Sequence, residues 1–148
     1  MDAKNYDALR LENQICFPLY AASREIIRQY RPFLDKLDLT YTQYITMMVI
    51  WEVKRINVKE LGRRLYLDSG TLTPLLKSLE AKGFVHRSRS KEDERVLNVE
   101  LTEAGAALQD EALAVPGQIM GCVKLDPEEA MTLYRLLYKI LEGGEEEE

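Results

Sequence analysis

Residues 58–101 read VKELGRRLYLDSGTLTPLLKSLEAKGFVHRSRSKEDERVLNVEL, and the order of patterns in this stretch decides the fold. Val58, Leu61 and Leu65 share one face of a short helix, while Lys59, Arg63 and Arg64 take the others. The pattern stops at Leu67 and Asp68. Asp68 or Ser69 then caps a second helix whose buried stripe is Leu72, Leu75, Leu76 and Leu79, and Gly83 supplies its left-handed stop. Two short helices with so tight a joint make a helix-turn-helix. Over 84–89 and 96–101 apolar and polar residues alternate with a period of two, the mark of paired strands, and the polar residues 90–95 form the hairpin tip. A hairpin directly behind a helix-turn-helix is a wing, so the expected fold is mainly α with a small β-hairpin, a winged helix-turn-helix.

Upstream, Ile15, Leu19, Ala22, Ile26, Ile27, Tyr30, Phe33, Leu34 and Leu37 recur at three- and four-residue steps, which predicts a helix over 11–37. Two prolines disturb it. Pro18 fits best in a first turn, so the regular helix starts or kinks near Cys16, and Pro32 points to a second bend. Thr40 is placed to cap a helix over 42–51 that is apolar on nearly every side and belongs in the core. Downstream, Thr102 opens a long helix reaching about residue 119. A last helix over 127–141, with Met131, Leu133, Tyr134, Leu136, Leu137, Ile140 and Leu141 as apolar positions, is expected to end at Gly143 and Gly144. No repeat is visible at periods of 20 to 50 residues.

Composition narrows the function classes. A chain of 148 residues with 46% hydrophobic side chains is one domain, 1–148, able to bury a core without disulfide or metal staples. Its longest apolar run, 45–51, falls far short of the roughly 20 residues a membrane span needs. Asp2, Asp7 and Glu12 stand where a signal peptide would be basic and then apolar, so a soluble cytoplasmic protein with no membrane association is expected. Two distant cysteines and the single His86 supply neither a zinc cluster nor a disulfide scaffold, and no metal or cofactor is implied.

The net charge of −5 argues against nucleic acid until its distribution is followed. Residues 60–95 hold eight Lys or Arg against six Asp or Glu, whereas 96–148 hold three against twelve, ending in a solvated acidic tail over 143–148. Positive potential is thus confined to the front of the chain. A recognition helix needs small and polar residues in its first turns, where it approaches base edges and phosphates. Ser69, Gly70, Thr71 and Thr73 fit that need, and Lys77 on the same helix can neutralise phosphate. Pro74 is expected to cost little there, on the argument that early helical amides lack acceptors. In the wing, Arg87, Arg89, Lys91 and Arg95 crowd around the tip. Arg95 is the candidate for the minor groove, with Asp93 as the carboxylate that fixes its direction. The plainer readings are an ordinary amphipathic helix and a solvated charged turn.

Leu61-Gly62, the run 69–83, the run 87–95 and Leu101-Thr102-Glu103-Ala104-Gly105 together resemble the MarR family of winged-helix regulators. The resemblance covers almost the whole chain. More narrowly, the run 11–17, Leu19-Tyr20-Ala21, Tyr30, Leu39-Thr40-Tyr41 and Gln43-Tyr44 look like the organic hydroperoxide resistance regulators, OhrR. That resemblance implies a homodimer built from the flanking helices, 5–37 and 102–142, around a DNA-reading part over 42–101. It also implies a pseudo-palindromic double-stranded operator, and release when Cys16 is oxidised by an organic hydroperoxide. Tyr30 and Tyr41 match the positions that hydrogen-bond the thiolate, from the partner subunit, with Tyr20 nearby. Phe17, Leu19 and Trp51 are candidates for the apolar wall that favours bulky peroxides.

The chemistry requires a thiolate, and both a helix start and phenol donors favour that form. By residue type alone a buried core position is the commoner reading of Cys16, and the resemblance reverses that preference. Cys122 lies where some members of the resembling group carry a second cysteine. It stands either as the partner that condenses with a Cys16 sulfenic acid or as a bystander, with a low-molecular-weight thiol completing the oxidation. Three other functions stay open: a MarR regulator responding to a small aromatic ligand, a thiol peroxidase, and an interaction module that ignores DNA.

Overall fold

The computed structural model describes residues 3–145. Helix α1 spans Cys16–Leu34, and Cys16 is its first residue. Pro18 is therefore third in the helix, where an amide N–H would have had no intrahelical acceptor. The regular helix expected from residue 11 is replaced by two 3-10 turns, Asp7–Leu9 and Leu11–Asn13. The cause is local competition, since the Gln14 side-chain amide donates to the carbonyls of Ala8 (2.7 Å) and Arg10 (2.9 Å). At its other end α1 passes Pro32 uninterrupted, tightens into a 3-10 turn at Asp35–Leu37 and reverses at Asp38, whose φ is 55°.

Helix α2, Tyr41–Val53, begins on a capping box: Thr40 Oγ1 accepts from the Gln43 N–H, and Gln43 Oε1 accepts from the Thr40 N–H. Strand β1, Arg55–Asn57, follows at once. It turns the expected hairpin into a three-stranded antiparallel sheet ordered β1-β3-β2, where β2 is Val85–Arg89 and β3 is Leu97–Leu101. Three residues are too few for an alternation to show in sequence. In the sheet, Ile56 pairs with Val99, and both are buried.

Helices α3, Val58–Leu65, and α4, Ser69–Ala81, form the helix-turn-helix, capped by Asn57 and Asp68. Their close approach depends on Gly62, where a Cβ would lie 2.7 Å from the Leu67 carbonyl oxygen. Gly83 takes the left-handed conformation expected after α4, with φ 85°. Pro74 departs from expectation. It is the sixth residue of α4, past the amides that lack acceptors, so the helix continues through it while the Gly70 carbonyl loses its i+4 donor.

The long helix expected over 102–119 is two helices, α5 at Glu103–Ala112 and α6 at Val115–Met120. Pro116 is the reason, since its ring cannot donate to the Ala112 carbonyl and suits instead the first turn of a new helix. The last helix, α7, runs Pro127–Glu145, straight through the glycines expected to stop it. Glycine in an exposed helix costs about 1 kcal/mol and does not forbid the conformation. Part of the acidic tail, 146–148, lies outside the described residues.

The core gathers Leu34, Met47, Ile50, Leu61, Leu72, Leu76, Leu79, Val85 and Val99, all at most 2% exposed. Trp51 seals α2 against α5, its indole N–H donating to the Gly105 carbonyl at 2.8 Å. Gly105 has no room for more, because a Cβ would come within 2.2 Å of the Phe84 carbonyl oxygen. Two stretches stay outside this core. From residue 16 to 25 every α1 side chain is exposed, Phe17, Leu19 and Tyr20 among them, and along α7 so are Met131, Leu133, Tyr134, Leu136, Tyr138, Ile140 and Leu141. Among the described residues no helix is long and apolar enough to cross a membrane.

Candidate DNA interface and thiol site

The buried leucines of α4 face the core, which turns Ser69, Gly70, Thr71, Thr73 and Lys77 outward; all five are exposed. Asp68 holds the first turn by accepting the Thr71 N–H at 2.7 Å, and that bond lowers its carboxyl below the usual range. The Thr73 hydroxyl donates back to the Ser69 carbonyl at 2.8 Å. A cleft of about 670 Å³ separates α4 from the base of the wing, and it brings Ser69 and Thr73 together with Arg95. Asn57 and Lys59 enter the same cleft from the start of α3. Sequence reasoning missed both: it assigns Asn57 no role, although that side chain caps α3, and Lys59 reads as one more surface cation.

The wing cations divide into two groups. Arg95 projects from the tip with its side chain 91% exposed, and Asp93 grips it as expected, Oδ1 to Nε at 3.1 Å and Oδ2 to Nη2 at 3.4 Å. The same carboxylate accepts the Arg95 N–H at 3.0 Å, and its acidity is raised chiefly by the guanidinium contacts. Lys91 and Arg89 are exposed beside it, Arg89 reaching the Glu94 carbonyl at 3.4 Å. Arg87 corrects the sequence reading. Its half-buried side chain turns away from the tip onto Glu80 of α4 (Nε and Nη2 to Oε1, both 3.2 Å), where it ties β2 to α4 and has its charge matched. The bond from the Arg87 N–H also holds the Glu80 carboxyl below its usual range.

Cys16 is an exposed free thiol at the first position of α1, so the buried-cysteine alternative does not hold in this protomer. Cys122 is also free and half-buried just past α6, its Sγ 3.6 Å from the Gln118 carbonyl. The tyrosines expected near the thiol are not near it within one chain. Tyr30 follows Cys16 by fourteen residues along one helix, a rise of about 21 Å. Instead Tyr30 packs on Tyr41, ring centroids 4.9 Å apart, and on Tyr44 at 5.8 Å. Tyr44 continues to Trp51 at 6.5 Å. Sequence reasoning had quoted Tyr44 only as part of a motif. Burial first, then its phenol neighbours, pushes Tyr30 up to about 12, and burial raises Tyr41 and Tyr44 as well. All three phenols therefore keep their protons and remain donors, and none of their hydroxyls has a hydrogen-bond partner among the described residues. Tyr20 stands apart, its hydroxyl accepting from Arg24 at 3.0 Å in a groove of about 710 Å³ that Phe17 also lines. Trp51 is a core residue, 6% exposed, that still reaches a surface hollow of about 410 Å³ with Tyr44 and Met48.

A helix-turn-helix with an exposed polar recognition face, a cationic wing beside it and an exposed thiol on a flanking helix defines a winged-helix transcription regulator. The family model described as transcriptional regulator SarA/Rot matches residues 28–112, and the organic hydroperoxide resistance transcriptional regulator of Bacillus subtilis (strain 168) is 50% identical over 137 residues, 93% of each chain. The chain belongs to the MarR family, in its OhrR branch. Among solved structures, reduced AbfR bound to DNA, from Staphylococcus epidermidis, superimposes with a TM-score of 0.75 at 36% identity, covering 93% of this chain and 95% of that one. The disulfide-formed AbfR reaches 0.64 at the same identity, covering 91% and 95%.

Proposed function

We propose that this chain is a homodimeric, cytoplasmic repressor that binds a pseudo-palindromic operator and lets it go when an organic hydroperoxide oxidises Cys16. Within the single domain, the exposed apolar faces of α1 and α7 are the dimer surfaces and 42–101 is the reading head. Ser69, Gly70, Thr71, Thr73 and Lys77 meet the major groove, with Arg95, Arg89 and Lys91 on the flanking backbone and minor groove. Arg87 supports the wing and does not touch DNA.

One observation carries the sensing half: Cys16 and Tyr30 lie on a single helix about 21 Å apart, while the phenols beside Tyr30 have donors to spare. A thiolate and its donors so separated can meet only across two protomers, which supports placing Tyr30 and Tyr41 against the partner's thiol. There the phenols donate to the sulfur and steer it toward the peroxide. The Cys16 thiolate attacks the outer peroxide oxygen, the O–O bond breaks, and the alkoxide takes a proton and leaves as an alcohol. The sulfur becomes a sulfenic acid. Condensation with the Cys122 thiol of the other subunit, or with a small cellular thiol, then forms a disulfide and releases water. Each oxidation event uses the chain once, so it is a sensor and no enzyme.

The test is a gel shift on a duplex selected from a random pool with the reduced protein, with and without cumene hydroperoxide. Wild type should release the duplex on oxidation. Cys16→Ser should bind it and ignore the peroxide, because a serine hydroxyl is not oxidised. A Cys16→Ser protein that still lets go would remove Cys16 from the mechanism.

A further inference from the structure

Gln43 is 6% exposed and spends its amide on two different elements. Its Oε1 accepts from the Thr40 N–H at 3.0 Å and from Lys82 Nζ at 3.1 Å, and its Nε2 donates to Ser78 Oγ at 3.0 Å. Ser78 and Lys82 belong to the C-terminal end of α4. Lys82 also donates to the Asp38 carbonyl and sits 3.7 Å from the Asp38 carboxylate, at the left-handed turn where the chain leaves α1. The end of the recognition helix is thereby tied both to the first turn of α2 and to the junction behind α1. That same first turn of α2 carries Tyr41 and Tyr44, packed on Tyr30.

We propose that Gln43 is the positioning residue through which the tyrosines facing the thiol set the orientation of the recognition helix. The inference rests on the sensing role given to Cys16 and the tyrosines above. A planar amide with both lone pairs and one N–H engaged has no slack, so a rotation of the α2 turn breaks several bonds together or carries α4 with it. Such an all-or-none joint supplies the discrete, physically connected link that a two-state coupling needs.

The experiment compares DNA affinity of the fully reduced and the cumene-hydroperoxide-oxidised protein on the selected duplex, and follows loss of the Cys16 thiol separately. Gln43→Leu keeps the volume and removes the joint. It should oxidise at the wild-type rate and bind the duplex when reduced within about threefold of wild type. Its ratio of oxidised to reduced Kd should fall at least about fivefold, the lower end of the 5- to 150-fold range typical of such couplings. Gln43→Glu can accept from Thr40, Lys82 and the Ser78 hydroxyl, and should keep the ratio within about twofold of wild type. If Gln43→Leu does not fold, Ser78→Ala, which removes one bond of the joint, should lower the ratio in the same direction. An unchanged ratio in Gln43→Leu or in Ser78→Ala, or a Gln43→Glu protein that behaves like the leucine variant, overturns the inference alone. A wild type that keeps its DNA after Cys16 has oxidised overturns the sensing role and this inference with it.

Discussion

Arg95→Ala isolates the contribution of the wing. The side chain is 91% exposed and its one ion-pair partner, Asp93, is a neighbour in the same turn, so removing it leaves the core untouched and thermal unfolding should not shift. A dimer presents two wings, so the substitution removes two cations from the DNA. Each neutralised phosphate releases about 0.9 counterion, so the slope of log K against log salt should become shallower by about 1.8. The same exponent sets the affinity: about 30-fold weaker binding in 0.15 M salt and about 200-fold in 0.05 M, converging with wild type as salt approaches about 1 M. Fluorescence anisotropy on the selected duplex at four or five salt concentrations measures both slope and intercept. A wild-type slope in the variant would place the wing off the DNA, and a loss of affinity independent of salt would mean that Arg95 shapes the tip without meeting phosphate.

Other perturbations test the interior and the sensor. Tyr30, held up to about 12, keeps its proton in the folded protein over a range where the unfolded chain, near 10, has lost it. Its contribution is complete below pH 10 and disappears as the pH climbs toward 12. Tyr30→Phe should therefore show a Tm that falls less steeply than wild type between pH 10 and 12, and parallel profiles would refute this; the same variant should slow Cys16 oxidation without abolishing it. On a non-reducing denaturing gel, peroxide should give wild type a reversible band at dimer mass and leave Cys122→Ser at monomer mass. That outcome requires the dimer to bring the two alpha carbons within about 7 Å, and a covalent dimer persisting in Cys122→Ser would exclude Cys122. Gly105→Ala pits about 1 kcal/mol of improved helix propensity against a Cβ 2.2 Å from a backbone oxygen; it should lose about 3 kcal/mol or more in urea unfolding, and a neutral effect would show that α5 moves freely on β2.

Much of the reading head was written in local pattern. The α4 leucine stripe, the Asp68 cap, the Gly83 stop and the period-two strands each follow from interactions within a few residues. Sequence alone was therefore enough for the helix-turn-helix, the wing and the Asp93–Arg95 pair. The start of α1 was legible only in part, because Pro18 favours a first turn near Cys16 while the apolar periodicity ran on from residue 11. Where long-range packing or a single ring intervened, pattern misled. Strand β1 exists because β3 offers it an edge, and Pro116 divides an otherwise continuous helical periodicity between α5 and α6.

The side-chain roles divide the same way. That Arg87 braces the wing against Glu80 while Arg95 projects into solvent with only its turn neighbour Asp93 beside it depends on which face of β2 meets α4, a fact absent from a list of four wing cations. The phenol cluster needed tertiary structure too. Tyr30 and Tyr41 are eleven residues apart in the chain, and only the reversal at Asp38 stacks them, at a distance from the Cys16 of their own protomer. Sequence determined which residues could carry the chemistry, since residue type and helical phase are local. Tertiary structure decided which of them meet, because contacts between distant segments are set by how the core packs.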